Sequence, residues 1–243
     1  AVIVRGAFPS DHCSSLIERF YSRGLLYDPR QRDDGTLHRV DIGTSLGKHA
    51  NDPDEFYQHS KGTHQLFASL FDGFEDPVKT LYGALARMLP DKRVMVAREP
   101  DGRLYGPSIF RTYHEGLGHY PHYDSVSKRS KRYGFSVSRF RHQFAGVLCF
   151  QNSENHGDTG EGVLYRAPMS PAYQAPLDEK RFGAYAEPNI IERIQVHLEP
   201  GDLYFFYSET IHEVPFVVGS RPRVVLASFI GMSEDDLEVF VWS

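Results

Sequence analysis

Residues 118–124 read Gly-His-Tyr-Pro-His-Tyr-Asp and place a histidine, His122, two positions before a carboxylate, Asp124. In an extended strand, side chains at i and i+2 point to the same face, so both groups can reach one ion. Far downstream, His212 lies in a second run, residues 208–215, which reads Ser-Glu-Thr-Ile-His-Glu-Val-Pro. Two imidazoles and one carboxylate on one side of an ion leave its other positions open, an arrangement typical of non-haem Fe(II) sites. The sequence therefore predicts a metal site formed by these three side chains.

The part of the chain that contains this motif is predicted to be rich in strands. From about residue 108, short apolar or alternating runs follow one another and are separated by turn residues. Eight such runs indicate two facing antiparallel sheets. The predicted strands are residues 109–113, 119–125, 145–151, 162–166, 190–198, 203–207, 212–218 and 223–231. We therefore predict an α+β, mainly β fold: a double-stranded β-helix, or cupin-like jelly roll.

The N-terminal part of the chain is predicted to be mainly helical. Apolar residues recur at helical spacing near residues 16–21, 66–71 and 78–88. A short strand is expected within residues 1–7, and residues 27–54 are expected to form a polar loop with one short strand. The helices would pack on the outer face of one sheet. Residues 1–243 are thus predicted to be one domain, with a helical support region at 1–105 and a jelly-roll core at 106–235.

Composition narrows the class of protein. Of 243 residues, 40% are hydrophobic and 13% aromatic, which is enough for a sizeable core. The formal net charge of −5 gives no general attraction to nucleic acid or anionic membranes. No apolar run approaches the roughly 18 residues of a membrane span, and the start of the sequence does not resemble a signal peptide. Cys13 and Cys149 are read as buried free thiols, and a cytoplasmic location is expected.

A positively charged side chain in an apolar strand is the next candidate. Arg223 precedes Val-Val-Leu-Ala, and if it points inward it needs an anionic partner. A cosubstrate with a carboxylate would supply that partner. Arg221 is the competing candidate, but it precedes Pro222 and is expected at the strand entry, so burial favours Arg223.

These runs together resemble the prolyl 4-hydroxylase-like branch of the Fe(II)/2-oxoglutarate-dependent dioxygenases. Residues 113–124 are similar to that family's Y-x-x-G-x-x-x-x-x-H-x-D signature. Residues 201–223, with Gly-Asp, a histidine and an arginine in that order, are similar to its downstream pattern. Residues 8–17 also resemble its first helix. The resemblance covers residues 108–231 and that helix, and it is specific to the superfamily but to no single substrate.

The resemblance implies roles for individual residues. His122, Asp124 and His212 would hold Fe(II), and Arg223 would bind the distal carboxylate of 2-oxoglutarate through a planar, two-pronged contact. Tyr113 would add its hydroxyl to the same carboxylate, although a core tyrosine is an equal alternative. His119 departs from the family, which usually has a tyrosine there.

The expected reaction consumes 2-oxoglutarate and O2, releases succinate and CO2, and hydroxylates a substrate C–H bond. The resemblance also implies that related halogenases carry a small residue in place of the carboxylate, which frees a position for chloride. Because Asp124 is present, hydroxylation is the predicted outcome, with desaturation and ring formation left open.

Substrate recognition is predicted from a local excess of basic residues. No acidic residue lies between Ser125 and Ser153, whereas six basic residues do. They are Lys128, Arg129, Lys131, Arg132, Arg139 and Arg141. This segment would form a rim that attracts an anionic substrate, or else a solvated loop. The candidate substrate-binding residues are Arg166, His119, Arg139 and Arg141, with an exposed position as the alternative for Arg166.

Three further expectations concern the surroundings of the site. Residues 167–188 are predicted to be an ordered insertion that could cover it. Glu213 should point out of the barrel by alternation, and His156, in a turn-rich connection, should be exposed.

The predicted function is an Fe(II)/2-oxoglutarate-dependent oxygenase that acts on a small molecule, such as a free amino acid or a biosynthetic intermediate. One alternative is a peptidyl hydroxylase that acts on a protein partner, for which an open groove would be required. Another is a cupin-type binding protein without turnover. Nucleic-acid repair is a weaker alternative, because one basic loop is less than a continuous phosphate-binding surface.

Overall fold

The structure, a computed structural model, describes residues 1–31, 35–154 and 161–243. Within these ranges, twelve strands form two sheets that face each other across a central cavity. The strands are β1 (Val2–Val4), β2 (Val40–Ile42), β3 (Arg93–Val96), β4 (Ile109–Tyr113), β5 (His119–His122), β6 (His142–Gln151), β7 (Gly162–Pro168), β8 (Arg193–Val196), β9 (Leu203–Tyr207), β10 (Thr210–Val214), β11 (Arg223–Met232) and β12 (Glu238–Trp242). The predicted jelly roll is confirmed.

The larger sheet has the order β1-β9-β6-β11, and the far edge of β11 pairs with β4 along its first half and with β12 along its second. β2 extends this sheet beside β4, and β3 extends it beside β12 in a parallel pairing. The smaller sheet has the order β5-β10-β7-β8 and is antiparallel throughout. All eight strands predicted from residue 108 onward are present, and β3 and β12 are additions that the sequence analysis did not predict.

Six α-helices lie in the described parts of the chain. They are α1 (Ser10–Ser22), α2 (Leu46–His49), α3 (Pro53–Leu70), α4 (Pro77–Met88), α5 (Gln174–Asp178) and α6 (Phe182–Ala186). α3 begins well before the predicted start near residue 66. Its first turn is capped by Asp52, whose side chain accepts from the backbone N–H groups of Asp54 and Glu55, and Pro53 fits the first helical position.

The hydrophobic core lies mainly on the outer face of the larger sheet. Side chains from α1, α3 and α4, such as Phe20, Leu70 and Leu81, pack there against Phe110 of β4 and Leu226 of β11. Alternation along each strand turns the neighbouring side chains to the other face. A separate buried cluster on that inner face lines the cavity between the sheets and includes Val147, Tyr204, Phe206 and Val225.

The insertion at residues 167–188 contributes no residue to the lining of the central cavity, although its Gln174 and Leu177 line a surface pocket that also includes His122. Phe182 and Ala186 of α6 pack against Val163, Tyr165 and Ile211, which point away from the cavity on the smaller sheet. Apolar residues on the outside of an exposed sheet need such a cover, because a bare apolar face would remain in water. The insertion therefore shields the outer surface of the smaller sheet.

Other expectations can be compared directly with the structure. Cys13 and Cys149 are buried free thiols, as predicted, and burial raises the pKa of each to about 12. Glu213 borders the central cavity, but its carboxylate accepts a hydrogen bond of 2.6 Å from the hydroxyl of Tyr165, which belongs to the outer cluster of the smaller sheet. His156 lies outside the described residues. Among the helices described, none is long and apolar enough to cross a membrane.

Candidate active site

The structure brings His122, Asp124 and His212 together on one wall of the central cavity. His122 ends β5 and lies directly opposite His212 of the antiparallel neighbour β10. Asp124 follows β5, and its backbone N–H donates to the Ser208 carbonyl at 2.8 Å, which keeps it on the same face as His122. The Nε2 atoms of both histidines lie 3.5 Å from the Asp124 Oδ2 atom. One ligand atom from each residue lies within 4.8 Å of the others, as a shared ion requires.

Backbone carbonyls fix the orientation of both imidazoles. The Nδ1 atom of His122 is 2.7 Å from the carbonyl oxygen of Tyr120, and that of His212 is 2.8 Å from that of Thr210. A carbonyl only accepts, so Nδ1 carries the proton in each ring and Nε2 keeps a lone pair. Both lone pairs are directed at the shared space beside Asp124. This is the outer hydrogen bonding found behind metal-bound histidines, and the donor set fits a divalent iron ion.

The pKa shifts of His122 and Asp124 also favour metal binding. Burial lowers the pKa of the His122 imidazole, and the nearby His212 ring lowers it further. Burial alone would raise the pKa of Asp124, but the adjacent His122 and His212 groups hold that pKa well below its usual value. Neutral imidazoles and an ionised carboxylate are the forms that bind a metal.

Arg223 points into the same cavity. It begins β11, is buried, and lies in register with Tyr113 of β4, so both side chains lie on the inner face. The guanidinium carbon of Arg223 is 5.5 Å from the centre of the Tyr113 ring. Tyr204, which sequence reasoning missed, lines the same space. Burial raises the pKa of Tyr204 to about 12, against the opposing effect of the Arg223 charge, so its hydroxyl stays protonated as a donor.

Arg221, the competing candidate, lies outside the central cavity. Its side chain is exposed and donates a hydrogen bond of 3.2 Å to the backbone carbonyl of Ser153. Pro222 separates it from β11, as expected for a residue at a strand entry. Arg221 does not line the cavity, which leaves Arg223 as the cation that faces the triad from this strand.

His119 lies beside the triad, and its ring centre is 3.6 Å from that of His122. Burial lowers the pKa of His119 to about 3, so it is neutral. The next residue, Tyr120, turns to the outside, where it is partly exposed and packs edge-on against Phe216. His119 therefore supplies the ring beside the metal position.

The six basic residues of the segment after Asp124 do not act as one rim. Arg139 pairs with Asp236 and Glu238, and Arg141 pairs with Glu234 and Asp235, on the surface away from the triad. Arg129 and Arg132, in contrast, line a second cavity next to the triad.

Arg166, the remaining substrate candidate, projects from β7 to the outside. It pairs with Glu192 at 2.9 Å, and its side chain is 81% exposed. Arg139, Arg141 and Arg166 are thus not brought to the cavity, whereas His119 is.

A buried carboxylate, Glu209, holds the chain immediately after Asp124 in place. It is 3% exposed and accepts hydrogen bonds from Ser125, Lys128 and Tyr207. Burial and the neighbouring Glu209 raise the pKa of Tyr207, so the hydroxyl remains a donor. This network ties the segment that follows Asp124 to the turn before β10, which carries His212.

Replacing Glu209 by alanine is expected to lower the free energy of unfolding by about 1–3 kcal/mol, because buried donors would lose their acceptor. Denaturant unfolding followed by circular dichroism measures the effect. Glu192→Ala is the matched control: its pair with Arg166 is exposed on both sides, so the change should stay below about 1 kcal/mol. Equal losses in the two variants would show that Glu209 has no special role.

The whole sequence matches one family of known proteins. A family model described as carrier-protein-independent halogenase WelO5 matches residues 1–243. The chain belongs to the WelO5 family. Membership in this family, together with the triad, confirms the prediction that the protein belongs to the Fe(II)/2-oxoglutarate oxygenase superfamily. It also confirms the prediction that iron and 2-oxoglutarate are its cofactor and cosubstrate. No curated protein matches the sequence.

Solved structures support the fold of this WelO5 family member. An N-substituted L-amino acid dioxygenase in complex with alpha-KG from Burkholderia ambifaria AMMD is 18% identical, with a TM-score of 0.57, over 97% of this chain and 83% of that one. HygX from Streptomyces hygroscopicus, with nickel and 2-oxoglutarate bound, is 10% identical, with a TM-score of 0.54, over 97% and 84% of the two chains. The alpha ketoglutarate dependent epimerase SnoN from nogalamycin biosynthesis is 12% identical, with a TM-score of 0.52, over 97% and 82%.

Proposed function

We propose that this WelO5 family member hydroxylates an unactivated C–H bond of a small molecule, using 2-oxoglutarate and O2 and releasing succinate and CO2. The observation that carries the proposal is that His122, Asp124 and His212 share one cavity with the buried Arg223. Three protein ligands on one side of an iron ion leave room for a cosubstrate and O2. Arg223 would receive the carboxylate of that cosubstrate.

The residues of the chain would have distinct roles. His122, Asp124 and His212 would hold the iron, with the two Nε2 lone pairs fixed by the backbone bonds of Nδ1. When bound, ferrous iron would activate O2, and 2-oxoglutarate would supply two of the electrons that reduce O2 as it is converted to succinate and CO2. Arg223, with Tyr113 and Tyr204, would orient 2-oxoglutarate by its distal carboxylate. The apolar side chains Val147, Phe206 and Val225 would exclude water from the site.

Asp124 supports hydroxylation as the outcome in a family described as halogenases. A halide needs a free position on the metal, and here the Asp124 carboxylate would occupy one of the positions. We therefore expect wild-type protein in chloride buffer to release hydroxylated product and no chlorinated product. Mass spectrometry distinguishes the two, since chlorine adds a characteristic isotope pair. Chlorinated product from the wild type would contradict the assigned role of Asp124.

The function is tested by incubating the protein with Fe(II), 2-oxoglutarate and O2 and measuring succinate. The panel of substrates should include free amino acids, N-substituted amino acids, other small organic anions and, as the alternative class, prolyl peptides. Succinate formation that depends on one small molecule, with that molecule gaining one oxygen, is the expected result. Iron-loaded protein that forms no succinate with any of them, and does not bind 2-oxoglutarate in calorimetry, would instead indicate a binding protein.

A further inference from the structure

Arg111, at the centre of β4, points into the cavity beside the triad. It lies two residues before Tyr113 and opposite Val225 of β11, so the three side chains share the inner face. Its guanidinium carbon is 6.0 Å from the ring centre of Phe229. The Nε atom of Arg111 is buried and has no hydrogen-bond partner among the described residues. Asp41 lies opposite Arg111 in the β2–β4 pairing, but the Nε donor of Arg111 still has no acceptor, and a bound acceptor would stabilise that donor.

A second unpaired donor, the indole of Trp242, lines the same region. Trp242 is 1% exposed, and its Nε1 atom finds no acceptor in the described parts of the chain. Its ring centre is 6.0 Å from that of Phe229, which is thus the common neighbour of both donors. An indole N–H can donate but not accept. The Nε of Arg111 and the Nε1 of Trp242 therefore both lack an acceptor among the described residues.

The second cavity, next to the triad, has a positively charged wall. Its basic residues, in the described part of the chain, are Arg39, Lys48, Arg111, Arg129 and Arg132. Arg39 and Lys48 share one carboxylate, Asp41, at 2.7 and 2.6 Å, and Asp41 also lies opposite Arg111 in the β2–β4 pairing. Arg129 lies 3.3 Å from Asp124, a carboxylate already assigned to the metal. Such a wall favours an anionic ligand.

Arg111 and Arg223 differ in the cavities that they line, which allows each to bind a different ligand. The second cavity meets the one that contains Arg223 at the triad, and Arg111, His122, Asp124 and Phe229 line both. Arg223 lies only in the first cavity. A ligand held by Arg111 and Trp242 would therefore lie beside the metal position, with the Arg223 site still free for 2-oxoglutarate.

We propose that Arg111 and Trp242 bind an oxyanionic group, a carboxylate or a phosphate, of the substrate that is oxidised. This inference rests on the proposed oxygenase function and adds the chemical class of its substrate: an organic anion with an apolar body. The oxyanion accepts from the Nε of Arg111 and the indole N–H, and the apolar body packs against Phe229. The anchored end sets which C–H bond faces the triad.

Trp242 makes the proposal directly measurable, because it is the only tryptophan in the sequence. The protein is loaded with Zn(II), which replaces iron without turnover, and saturated with 2-oxoglutarate so that the Arg223 site is filled. Tryptophan fluorescence then follows titrations with 3-phenylpropionate, phenyl phosphate and the neutral 3-phenylpropanamide. We expect at least one anion to bind about tenfold or more tightly than the amide. The tighter anion identifies carboxylate or phosphate as the natural group.

Substitution at Arg111 tests the residue itself. In Arg111→Gln, anion affinity should fall about 10- to 100-fold while amide affinity stays unchanged, and Arg111→Lys should lie between this variant and the wild type. Arg87→Gln, an exposed position on α4, is the matched control and should behave as the wild type.

Two outcomes overturn the proposal. One is wild-type protein that binds the amide as tightly as both anions, a result that does not depend on the folding of any variant. The other is a folded Arg111→Gln protein that keeps the preference for anions. Because no turnover is involved, either outcome leaves the succinate assay as a separate test of the oxygenase function.

Discussion

Substituting alanine for His212 is expected to abolish iron binding and succinate formation together. His212 supplies one of the three ligand atoms, and its Nε2 is 3.5 Å from the Asp124 carboxylate. Loss of an outer hydrogen bond to a ligand already costs about 10- to 100-fold in metal affinity, so loss of the ligand itself should exceed this. Iron content after anaerobic loading, measured by a colorimetric chelator, and succinate measured by mass spectrometry give the two readouts.

His38→Ala is a suitable control for this prediction, since His38 is exposed and lies outside the cavity lining. It should retain wild-type iron content and succinate formation. A thermal melt of metal-free protein shows whether His212→Ala is folded. A folded His212→Ala protein that still binds iron stoichiometrically would remove His212 from the metal site, and with it the basis of the proposed function.

Replacing Arg223 by glutamine should raise the KM for 2-oxoglutarate by about 10- to 100-fold. Charged hydrogen bonds of the kind formed between a guanidinium and a carboxylate contribute about 1.5–3 kcal/mol, and 1.4 kcal/mol corresponds to a factor of ten. Arg223 is buried beside Tyr113, so water cannot replace the lost contact fully. The effect is measured as succinate formation against 2-oxoglutarate concentration, with iron content checked to be unchanged.

The matched control is Arg221→Gln, two residues earlier in the same chain segment. Because Arg221 is exposed and bonded to the Ser153 carbonyl, its loss should change the KM for 2-oxoglutarate by less than about twofold. The opposite result, a large effect at Arg221 and none at Arg223, would reverse the assignment of the two arginines.

The strand pattern and the triad were predictable from the sequence because both depend on local alternation. His122 and Asp124 are two residues apart, and the strand that carries His212 has a clear apolar pattern. The same rule would have identified Arg111, which precedes Tyr113 by two residues and must share its face. That signal was present and was missed, as was the Asp-Pro start of α3.

Features that depend on distant partners were not predictable. The basic residues Arg139 and Arg141 pair with acidic residues near position 235, far away in sequence, and are thereby directed away from the cavity. The location of the insertion at residues 167–188 was not predictable either, because its apolar residues are compatible both with a lid over the cavity and with a cover on the outer face of the smaller sheet. Burial and ion pairing between remote segments decided both cases.

The two faces of the larger sheet have different roles in the protein. Its outer face joins the helices in the main core, while alternate residues of the same strands line the cavity. Exchanging side chains such as Val147 and Val225 would reshape the interior, while their neighbours Leu148 and Leu226 stay packed in the main core. Substitutions confined to the cavity face would thus change the shape of the space available to a substrate and leave the face that packs against the helices intact.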